Sequence, residues 1–416
     1  MTEPDQQPLR IAVLCPHFAP DTAPTGEVIT AIVHELAALG HELHVVTSLP
    51  WYRDHAIEPG WEGRLVRTET TAWGSITRVH PFATKDKRNL LRRAWGFVGF
   101  SGLAGLTSLR GGRVDAVLAM SPPFTMGLTG WAVHLLRRGP LVYNIQDVFP
   151  DAAIATGAIT NRRIIAVAKW VERFSYQRSA VVTVLSQEMQ ANVVAKVKPG
   201  RAGDVIVIPN FTDTDAIRPL DRHTALRAEL DIGDEPVVIY AGNVGFSQSL
   251  EMVVDAAREV PEATFVINGG GSARDALQLR AAGIANIRFG DYQPTERLAE
   301  VLATGDIHLV PLRAGLGSVS VPSKTYSILA AGRPVLAAID PGTEVPRILA
   351  ASGGGVAVPP DDRVALVAAL RAMLADLPAA ADMGSAGRAW VEATASPRAA
   401  ALAYEQLFRR LVGLAG

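Results

Sequence analysis

The sequence predicts an α/β protein made of two doubly wound, Rossmann-like domains that face each other across a cleft. Short runs rich in valine and isoleucine alternate with helical patterns along the whole chain. These runs are continuously apolar, which is typical of parallel strands covered by helices on both faces. The chain has 416 residues, too many for one ordinary core, so two such domains are expected.

The predicted strands divide into two sets of six. The first set is Ile11–Cys15, Leu43–Thr47, Val114–Met120, Leu141–Ile145, Val181–Leu185 and Val205–Ile208. The second set is Val237–Ala241, Thr264–Asn268, Ile287–Phe289, Ile307–Pro311, Val335–Ile339 and Gly355–Val358. The helical patterns of the first half are Glu27–Leu39, Pro123–Arg137, Arg162–Arg178 and Gln187–Val197. Ligands of such sheets bind beyond the carboxyl ends of the strands, which predicts a substrate in the cleft.

The domain boundary is predicted near a polar stretch, residues 209–236, that contains three prolines. We interpret residues 1–215 as the N-terminal domain, 216–395 as the C-terminal domain and 396–416 as a terminal segment. Two helices, Ala379–Thr394 and Arg398–Leu411, are predicted at the end, with Pro397 between them. They are either two packed terminal helices or a tail that returns to brace the N-terminal domain.

Composition excludes several classes of protein. The net charge of −1 argues against a nucleic-acid-binding protein, which needs a broad basic surface. The lone Cys15 excludes a disulfide framework and cysteine metal clusters, and the nine histidines show no ligand spacing. Asp213 and Asp215 mimic a metal-binding signature but are better explained by turn chemistry. We therefore expect no metal and no cofactor. The polar start of the chain lacks a signal peptide, which predicts a cytoplasmic protein.

Residues 322–340 contain the clearest predicted site. The apolar run Ile307–Pro311 enters a loop rich in glycine and serine, and a helix is predicted to begin near Pro322. Lys324 then lies in the first turn, where a cation opposes the helix dipole. Together with Pro322 and Ser323 it predicts an anion site, most naturally for a phosphate. The alternative is that Lys324 points into water.

Several motifs occur in a specific order. Residues 16–20 read Pro-His-Phe-Ala-Pro, residues 24–27 Pro-Thr-Gly-Glu and residues 40–47 Gly-His-Glu-Leu-His-Val-Val-Thr. Residues 208–213 read Ile-Pro-Asn-Phe-Thr-Asp, residues 240–243 Tyr-Ala-Gly-Asn and residues 268–271 Asn-Gly-Gly-Gly, and Pro322–Val335 completes the set. Over nearly its whole length the chain resembles glycosyltransferase family 4, the retaining nucleotide-sugar enzymes with the GT-B fold. It is most similar to the subgroup that adds acetamido sugars in surface-polysaccharide or O-antigen assembly.

The resemblance implies an N-terminal acceptor-binding domain and a C-terminal domain that binds the nucleotide sugar. Catalysis would depend mostly on stabilising the departing diphosphate, with Lys324 as a catalytic residue. The missing side chain of Gly26 would let backbone N–H groups approach a phosphate. Asn243 and Gln248 could donate to phosphate or sugar hydroxyls, or could simply close a βα turn. The complete predicted donor-binding set is Gly26, Gly242, Asn243, Gln248, Gly270, Pro322, Ser323, Lys324 and Glu344.

Two departures from the family pattern affect this prediction. The stretch 244–249 lacks the basic pair that often clamps the diphosphate, so Lys324 must supply more of the positive field unless Arg313 reaches in. Val319 and Ser327 occupy the places of the paired glutamates, the second of which usually binds the ribose. Glu344 could take that role, or could be a carboxylate in the first turn of a helix.

On the acceptor side, the resemblance points to residues 143–150. Gln146 falls near the position of a catalytic-site histidine, and Asp147 follows it. Asp147 could orient the acceptor hydroxyl or take its proton, or could cap the turn before Pro150. Thr25 completes the predicted acceptor-binding set. No pair of carboxylates suggests a covalent glycosyl-enzyme intermediate.

Residues 85–110 are predicted to contact a membrane peripherally. Basic residues at 85, 87, 88, 92 and 93 lead into Trp95, Phe97 and a small apolar run. The apolar part is too short to span a bilayer but suits an interfacial helix on anionic lipid. The alternative is an ordinary helix packed on the sheet.

The leading hypothesis is a retaining glycosyltransferase that uses a UDP-sugar and a saccharide acceptor on a polyprenyl lipid. Three alternatives stay open: a transferase with a soluble natural-product acceptor, a UDP-sugar 2-epimerase and a non-catalytic sugar-binding protein. The predicted cleft looks poor in the carboxylates and histidines that an epimerase needs. The predicted anion site weighs against a mere binding protein.

Overall fold

The computed structural model describes residues 7–53, 56–82, 90–108, 112–151, 161–316 and 322–414. These residues form two compact units. The first unit runs to Asn210 and resumes at Ala400, and the second comprises Phe211–Ala399. The observed boundaries therefore lie a few residues from those predicted after residues 215 and 395.

The first unit contains an eight-stranded sheet in the order β3-β4-β2-β1-β5-β6-β7-β8. The strands are β1 Arg10–Leu14, β2 Glu42–Ser48, β3 Val66–Thr71, β4 Gly74–Val79, β5 Ala116–Ser121, β6 Leu141–Ile145, β7 Val181–Val184 and β8 Val205–Val207. Every pairing is parallel except that of β3 with β4. All five residues of β6 and all six of β5 are buried, as expected for strands covered on both faces.

The hairpin β3–β4 was not predicted from the sequence. The residues of β3 read Val-Arg-Thr-Glu-Thr-Thr, and none of them is fully buried. A strand at the edge of a sheet buries little surface, so its sequence lacks the apolar run that marks a central strand. Pattern reading therefore missed β3, and with it β4, which pairs in parallel with β2 and antiparallel with β3.

The helices of the first unit cover both faces of its sheet. They are α1 Pro24–Ala38, α2 Leu90–Ser108, α3 Met126–Arg137, α4 Arg162–Arg178 and α5 Gln187–Val194. Helix α3 packs between α2 and α4. The core between the helices and the sheet includes Leu14, Val117, Met126 and Tyr143. In the segment predicted to contact a membrane, residues 85, 87, 88 and 110 lie outside the described residues.

The second unit contains a six-stranded, fully parallel sheet in the order β11-β10-β9-β12-β13-β14. Its strands are β9 Val237–Ala241, β10 Thr264–Asn268, β11 Ile287–Gly290, β12 Ile307–Pro311, β13 Val335–Ala338 and β14 Gly355–Val358. Its helices are α6 Ala225–Glu229, α7 Leu250–Glu259, α8 Arg274–Arg280, α9 Leu298–Thr304, α10 Lys324–Ala330, α11 Glu344–Ser352, α12 Arg363–Ala375 and α13 Leu377–Thr394. The predicted fold class is confirmed: each unit is a doubly wound α/β sheet, fully parallel in the second unit and parallel except for the β3–β4 pairing in the first.

The last helix, α14 Pro397–Leu411, belongs to the first unit from Ala400 onward. Its Tyr404 is buried, and the hydroxyl accepts a hydrogen bond from Asn144 Nδ2 at 2.8 Å and lies 3.1 Å from Thr183 Oγ1. Phe408 of the same helix is fully buried. Of the two arrangements considered for the chain end, the structure has the returning tail.

Among the described helices, none has by itself both the length and the apolar character required to cross a membrane. Helix α12 and the segment Leu377–Leu411 meet that requirement only as a pair bent by 100°.

Candidate active site

Lys324 is the first residue of α10, at the carboxyl edge of the second sheet. Its Nζ lies 3.9 Å from the centroid of the Tyr240 ring, at the end of β9. Gly242 follows that strand with φ +137°, and a Cβ built there would lie 2.7 Å from the same Nζ. The ammonium thus rests on an aromatic face and on a bare glycine backbone. Within the described residues, no carboxylate lies within ion-pairing distance of it.

The environment of Lys324 changes its acid–base behaviour. Burial strips water from the ammonium and lowers the pKa of Lys324 to about 7. A lysine ammonium without a carboxylate partner, held where its charge is poorly solvated, is stabilised by an incoming anion. Strongly shifted groups of this kind are characteristic of functional sites. Sequence reasoning identified Lys324 but assigned no role to Tyr240. The position of Tyr240 at the end of a predicted strand was the feature that could have indicated one.

Two glycine-rich loops are joined beside this lysine. Val244 N donates to Gly270 O at 2.8 Å, and Gly242 N donates to Asn268 O at 2.9 Å. Gly269 has φ +137°, and a Cβ there would lie 2.0 Å from Gly242 O. Gly270, which was predicted to bind the donor, therefore supports the loop that carries Gly242. The glycines are required because the two backbones approach each other too closely for side chains.

Asn243 and Gln248, for which the same two roles were considered, have different surroundings in the structure. Gln248 Oε1 accepts a hydrogen bond from Gly245 N at 3.0 Å, so this oxygen closes the βα turn. The side chain of Asn243 is exposed beside Gly245, and its backbone oxygen accepts the Tyr240 hydroxyl at 2.5 Å. Asn243 therefore keeps an amide that can reach a ligand at the strand end.

Arg313 does not provide a free positive charge. Its Nη2 donates to Glu251 Oε1 at 2.9 Å, and its Nε bonds the backbone oxygen of Phe246. The Arg313 amide also donates to Ser247 O at 2.9 Å. The guanidinium thus braces the turn that contains Gln248, and Lys324 remains the unpaired cation of this edge among the described residues.

Two carboxylates that sequence reasoning missed hold the loop before Lys324. Both oxygens of Asp340 accept from Gly315 N, at 3.0 and 2.9 Å. Asp361 Oδ2 accepts from Ala314 N at 2.9 Å, while its Oδ1 bonds the hydroxyl of Ser249. Asp361 therefore links the β9 turn to the loop that leads to Lys324. Both aspartates closely follow a strand, a position that the sequence shows. The sequence does not show which backbone groups they bind.

The region of the missing family glutamates is occupied by other contacts. Ser327 Oγ lies 3.2 Å from Thr212 Oγ1, and Val319 lies outside the described residues. Glu344 is the first residue of α11, where its Oε2 pairs with Arg347 Nη2 at 3.1 Å. This is the first-turn carboxylate that was the alternative to ribose binding, and the ion pair supports that alternative.

The start of helix α10 differs slightly from the prediction. The helix was expected to begin near Pro322 but begins at Lys324, with Ser323 as the preceding residue. The side chain of Ser323 is exposed and makes no cap hydrogen bond. The backbone oxygens of Pro322 and Ser323 accept from Thr325 N and Tyr326 N at 3.0 and 3.1 Å.

Gly26 and Thr25 lie in the first turn of α1, after the loop that follows β1. Gly26 is buried, and a Cβ there would lie 2.9 Å from His17 Cβ. The N–H of Gly26 donates to Ala23 O at 2.8 Å. The structure thus assigns Gly26 to close packing of the helix on the loop, and its amide is already paired. Thr25 is half-buried beside it.

Gln146 and Asp147 follow β6 at the carboxyl edge of the first sheet. Gln146 Nε2 donates to Asn144 Oδ1 at 2.7 Å, which ties it to the buried contact with Tyr404. Asp147 is exposed, and its carboxylate bonds no described residue, while its backbone oxygen accepts Phe149 N at 3.1 Å. The side chain therefore does not cap the turn, and its oxygens can accept from a hydroxyl.

No cluster of three metal-ligating side chains occurs among the described residues. Asp213 Oδ1 accepts from Asp215 N at 3.0 Å and from Ala216 N at 2.9 Å. This is an Asx turn, the arrangement that the turn chemistry of the sequence suggested.

Comparison with known protein families agrees with this geometry. Residues 25–210 match the family described as Glycosyl transferase 4-like domain, and residues 235–376 match Glycosyl transferases group 1. The chain belongs to glycosyltransferase family 4. Its relatives include WcaI of Escherichia coli (strain K12), which is named as a colanic acid biosynthesis glycosyl transferase. That protein is 26% identical over 378 residues, which cover 88% of this chain and 92% of the relative.

Solved structures show the same architecture for this family 4 chain. Sucrose-phosphate synthase from Thermosynechococcus elongatus superposes with a TM-score of 0.69 at 20% identity, covering 97% of this chain and 99% of the other. Anabaena HepE, in complex with UDP and glucose, gives 0.63 at 14% identity, covering 97% and 100%. The predicted family and the GT-B fold are thereby confirmed. The chain is a glycosyltransferase.

Proposed function

We propose that this glycosyltransferase moves a hexosyl or acetamidohexosyl unit from a UDP-sugar to a lipid-linked saccharide, with retention of configuration, in cell-surface polysaccharide assembly. The observation that carries the donor side is the unpaired Lys324 ammonium on the Tyr240 ring beside Gly242. Family membership supports retention. The name of the relative WcaI supports a polysaccharide acceptor, and the UDP in HepE supports the choice of base.

Transfer breaks the bond between the anomeric carbon and the diphosphate oxygen, so negative charge develops on the leaving group. In this proposal the Lys324 ammonium neutralises that charge, and a pre-positioned cation needs no reorganisation during the reaction. The exposed amide of Asn243 can add a hydrogen bond to phosphate or sugar. In this proposal no metal assists the diphosphate, and no cofactor takes part.

The acceptor hydroxyl must lose its proton as it attacks. The exposed carboxylate of Asp147 is proposed to orient that hydroxyl and to take its proton, while the diphosphate leaves with the electron pair of the broken anomeric bond. The Gln146 amide is hydrogen-bonded to Asn144, so its proposed role in acceptor binding is to fix the shape of the chain at the end of β6. Thr25 is proposed to line the same acceptor region.

A lipid-linked acceptor requires contact with a membrane, and helices of the first unit support such contact. The described part of residues 85–110 exposes Val98 and Leu106 on α2. Helix α4 exposes Ile164, Val167 and Trp170, with exposed fractions of 48%, 61% and 60%. The same helix carries exposed basic residues at 162, 163, 169, 173 and 178. Aliphatic and aromatic groups between basic residues are typical of a surface that lies on anionic lipid.

The experiment is a donor panel. The full chain is incubated with UDP-, GDP-, ADP- and TDP-sugars, with and without a polyprenyl-diphosphate-linked saccharide, and nucleoside diphosphate release is measured. We expect UDP release that rises with the lipid acceptor, and NMR of the product should show the donor's anomeric configuration. Lys324→Ala should lower turnover about 100-fold or more, while Lys198→Ala, an exposed lysine of the first unit, serves as the control. Equal turnover in both variants, or inversion in the product, contradicts the proposal.

A further inference from the structure

A histidine–aspartate pair lies at the carboxyl edge of the first sheet, outside the residues assigned above. In the loop that follows β1, His17 Nδ1 lies 2.6 Å from Asp21 Oδ2. The carboxylate is fully buried, and its second oxygen accepts from Tyr52 N at 3.1 Å. Because an ionised carboxylate can only accept, Nδ1 carries a proton, and in the neutral form of the ring the lone pair is then on Nε2.

This loop is held rigidly from several sides. The hydroxyls of Ser48 and Thr30 and the guanidinium of Arg78 bond its backbone at 2.6, 2.9 and 2.6 Å. The missing side chain of Gly26 lets α1 pack directly against His17. The imidazole is therefore positioned before any ligand arrives, and pre-positioning lowers the entropic cost of binding.

Two aromatic rings flank the histidine. The centroids of Trp51 and Tyr52 both lie 5.4 Å from that of His17, the first tilted by 31° and the second edge-on at 79°. Tyr52 is exposed, while Trp51 and His17 are half-buried. Within the described residues, nothing bonds His17 Nε2. A polar acceptor beside aromatic faces is complementary to a sugar, which presents hydroxyl donors around an apolar C–H face.

We propose that His17, Trp51 and Tyr52 form a saccharide-binding subsite, in which Nε2 accepts a hydrogen bond from a sugar hydroxyl and the aromatic rings pack against the C–H face. Asp21 is the positioning residue that fixes the tautomer. The subsite deepens the proposed function, on which it rests, because the sugar is that of the acceptor. Strand β5 alone separates β1 from β6. His17 and Asp147 thus follow strands about 10 Å apart, enough for one or two sugar rings.

The direct test measures binding without catalysis. Saturation-transfer NMR is recorded on the full chain with the methyl glycosides of glucose and N-acetylglucosamine, with no nucleotide present. We expect a signal from at least one glycoside in the wild type and in His134→Gln, which removes a half-buried imidazole on α3. His17→Gln and Tyr52→Ala should reduce that signal about tenfold. An unchanged signal in both variants, or no signal from either glycoside, overturns the proposal.

The kinetic test uses the saccharide that gives the highest nucleotide release. His17→Gln should raise the KM for this acceptor about tenfold, while the KM for the donor changes less than twofold. Asp21→Asn should change the two KM values in the same way. A purely structural dyad would instead lower Tm and leave the acceptor KM unchanged, which contradicts the subsite. If the wild type releases no nucleotide from any donor but binds the glycoside through His17, the proposed function fails while the subsite stands.

Discussion

The ammonium of Lys324 lies 3.9 Å from the centre of the Tyr240 ring, and Gly242 leaves the backbone bare on the same side. An aromatic face attracts a cation without occupying its N–H donors in strong hydrogen bonds. The lysine is thus held in place while its donors stay available. The site is organised around this relationship, and the first two predictions follow from it.

Nucleotide affinity should depend on the ionisation of Lys324. Its pKa of about 7 lies well below the usual value for lysine, so the free protein loses this charge as the pH rises above 7. An anion binds the protonated form, so each pH unit above 7 should weaken UDP binding by up to about tenfold. Titration calorimetry from pH 6 to 9 measures this, with Lys324→Met as the control for the titration of UDP itself. Parallel pH profiles in the two proteins would contradict the prediction.

Gly242→Ala should weaken UDP binding through Lys324. The new methyl group would lie 2.7 Å from Nζ at φ +137°, so the ammonium must move. Gly283→Ala is the matched control, because Gly283 has φ +80° with nothing within 4 Å of its Cβ position. Both variants should lose about 1 kcal/mol or more of stability from backbone strain, but only the first should lose affinity. Thermal-shift titrations with UDP measure the affinities. Equal affinities of the two variants would show that the close approach of Lys324 Nζ to Gly242 has no role in binding.

Asp147→Asn should lower kcat without destabilising the fold. The carboxylate is exposed and bonds no described side chain, so its loss should leave Tm unchanged within about 1 °C. Loss of a group that orients or deprotonates the acceptor typically costs about 100-fold or more in rate. Asp382→Asn, at an exposed position of α13, is the control. A kcat like that of the control would remove Asp147 from the mechanism.

Tyr404→Phe should destabilise the first unit. The variant leaves the buried Nδ2 of Asn144 without one of its two acceptors, at a cost of about 1–3 kcal/mol. Urea unfolding followed by fluorescence measures the loss, and Tyr292→Phe, exposed in the second unit, should show almost none. A midpoint equal to that of the wild type would mean that the returning helix is held by its apolar contacts alone.

Trp170→Ser should weaken membrane binding. Co-sedimentation with phosphatidylglycerol vesicles at low salt should capture the wild type, and capture should fall with added salt or with phosphatidylcholine vesicles. Removing the exposed indole should lower the partition coefficient about tenfold. Leu279→Ser changes an even more exposed apolar residue, 80% exposed on α8, and should have no effect. Capture that is the same for both variants argues against α4 as the contact.

Five of the parallel strands were predicted to the residue. Leu141–Ile145, Val237–Ala241, Thr264–Asn268, Ile307–Pro311 and Gly355–Val358 begin and end where the apolar runs of the sequence placed them, whereas the central strands β1 and β5 are shifted by one or two residues. A strand buried on both faces needs a continuous apolar run, and this information is local. Lys324 was found for a similar reason, because it follows a strand and a glycine-rich loop in sequence. Strand β3 was missed because an edge strand is polar, and its hairpin partner β4 was missed with it.

The sequence by itself determined the alternation of strands and helices, the division into two units and the lysine at the start of α10. Tertiary structure alone decided which groups lie beside that lysine and which groups are already bound to other residues. Arg313 is bound by Glu251, Asp361 joins two loops that lie 112 and 47 residues away from it in the chain, and Tyr404 reaches Asn144 across most of the chain. Parallel strands bring their carboxyl ends together from distant segments, so such contacts depend on strand order, which no local pattern encodes.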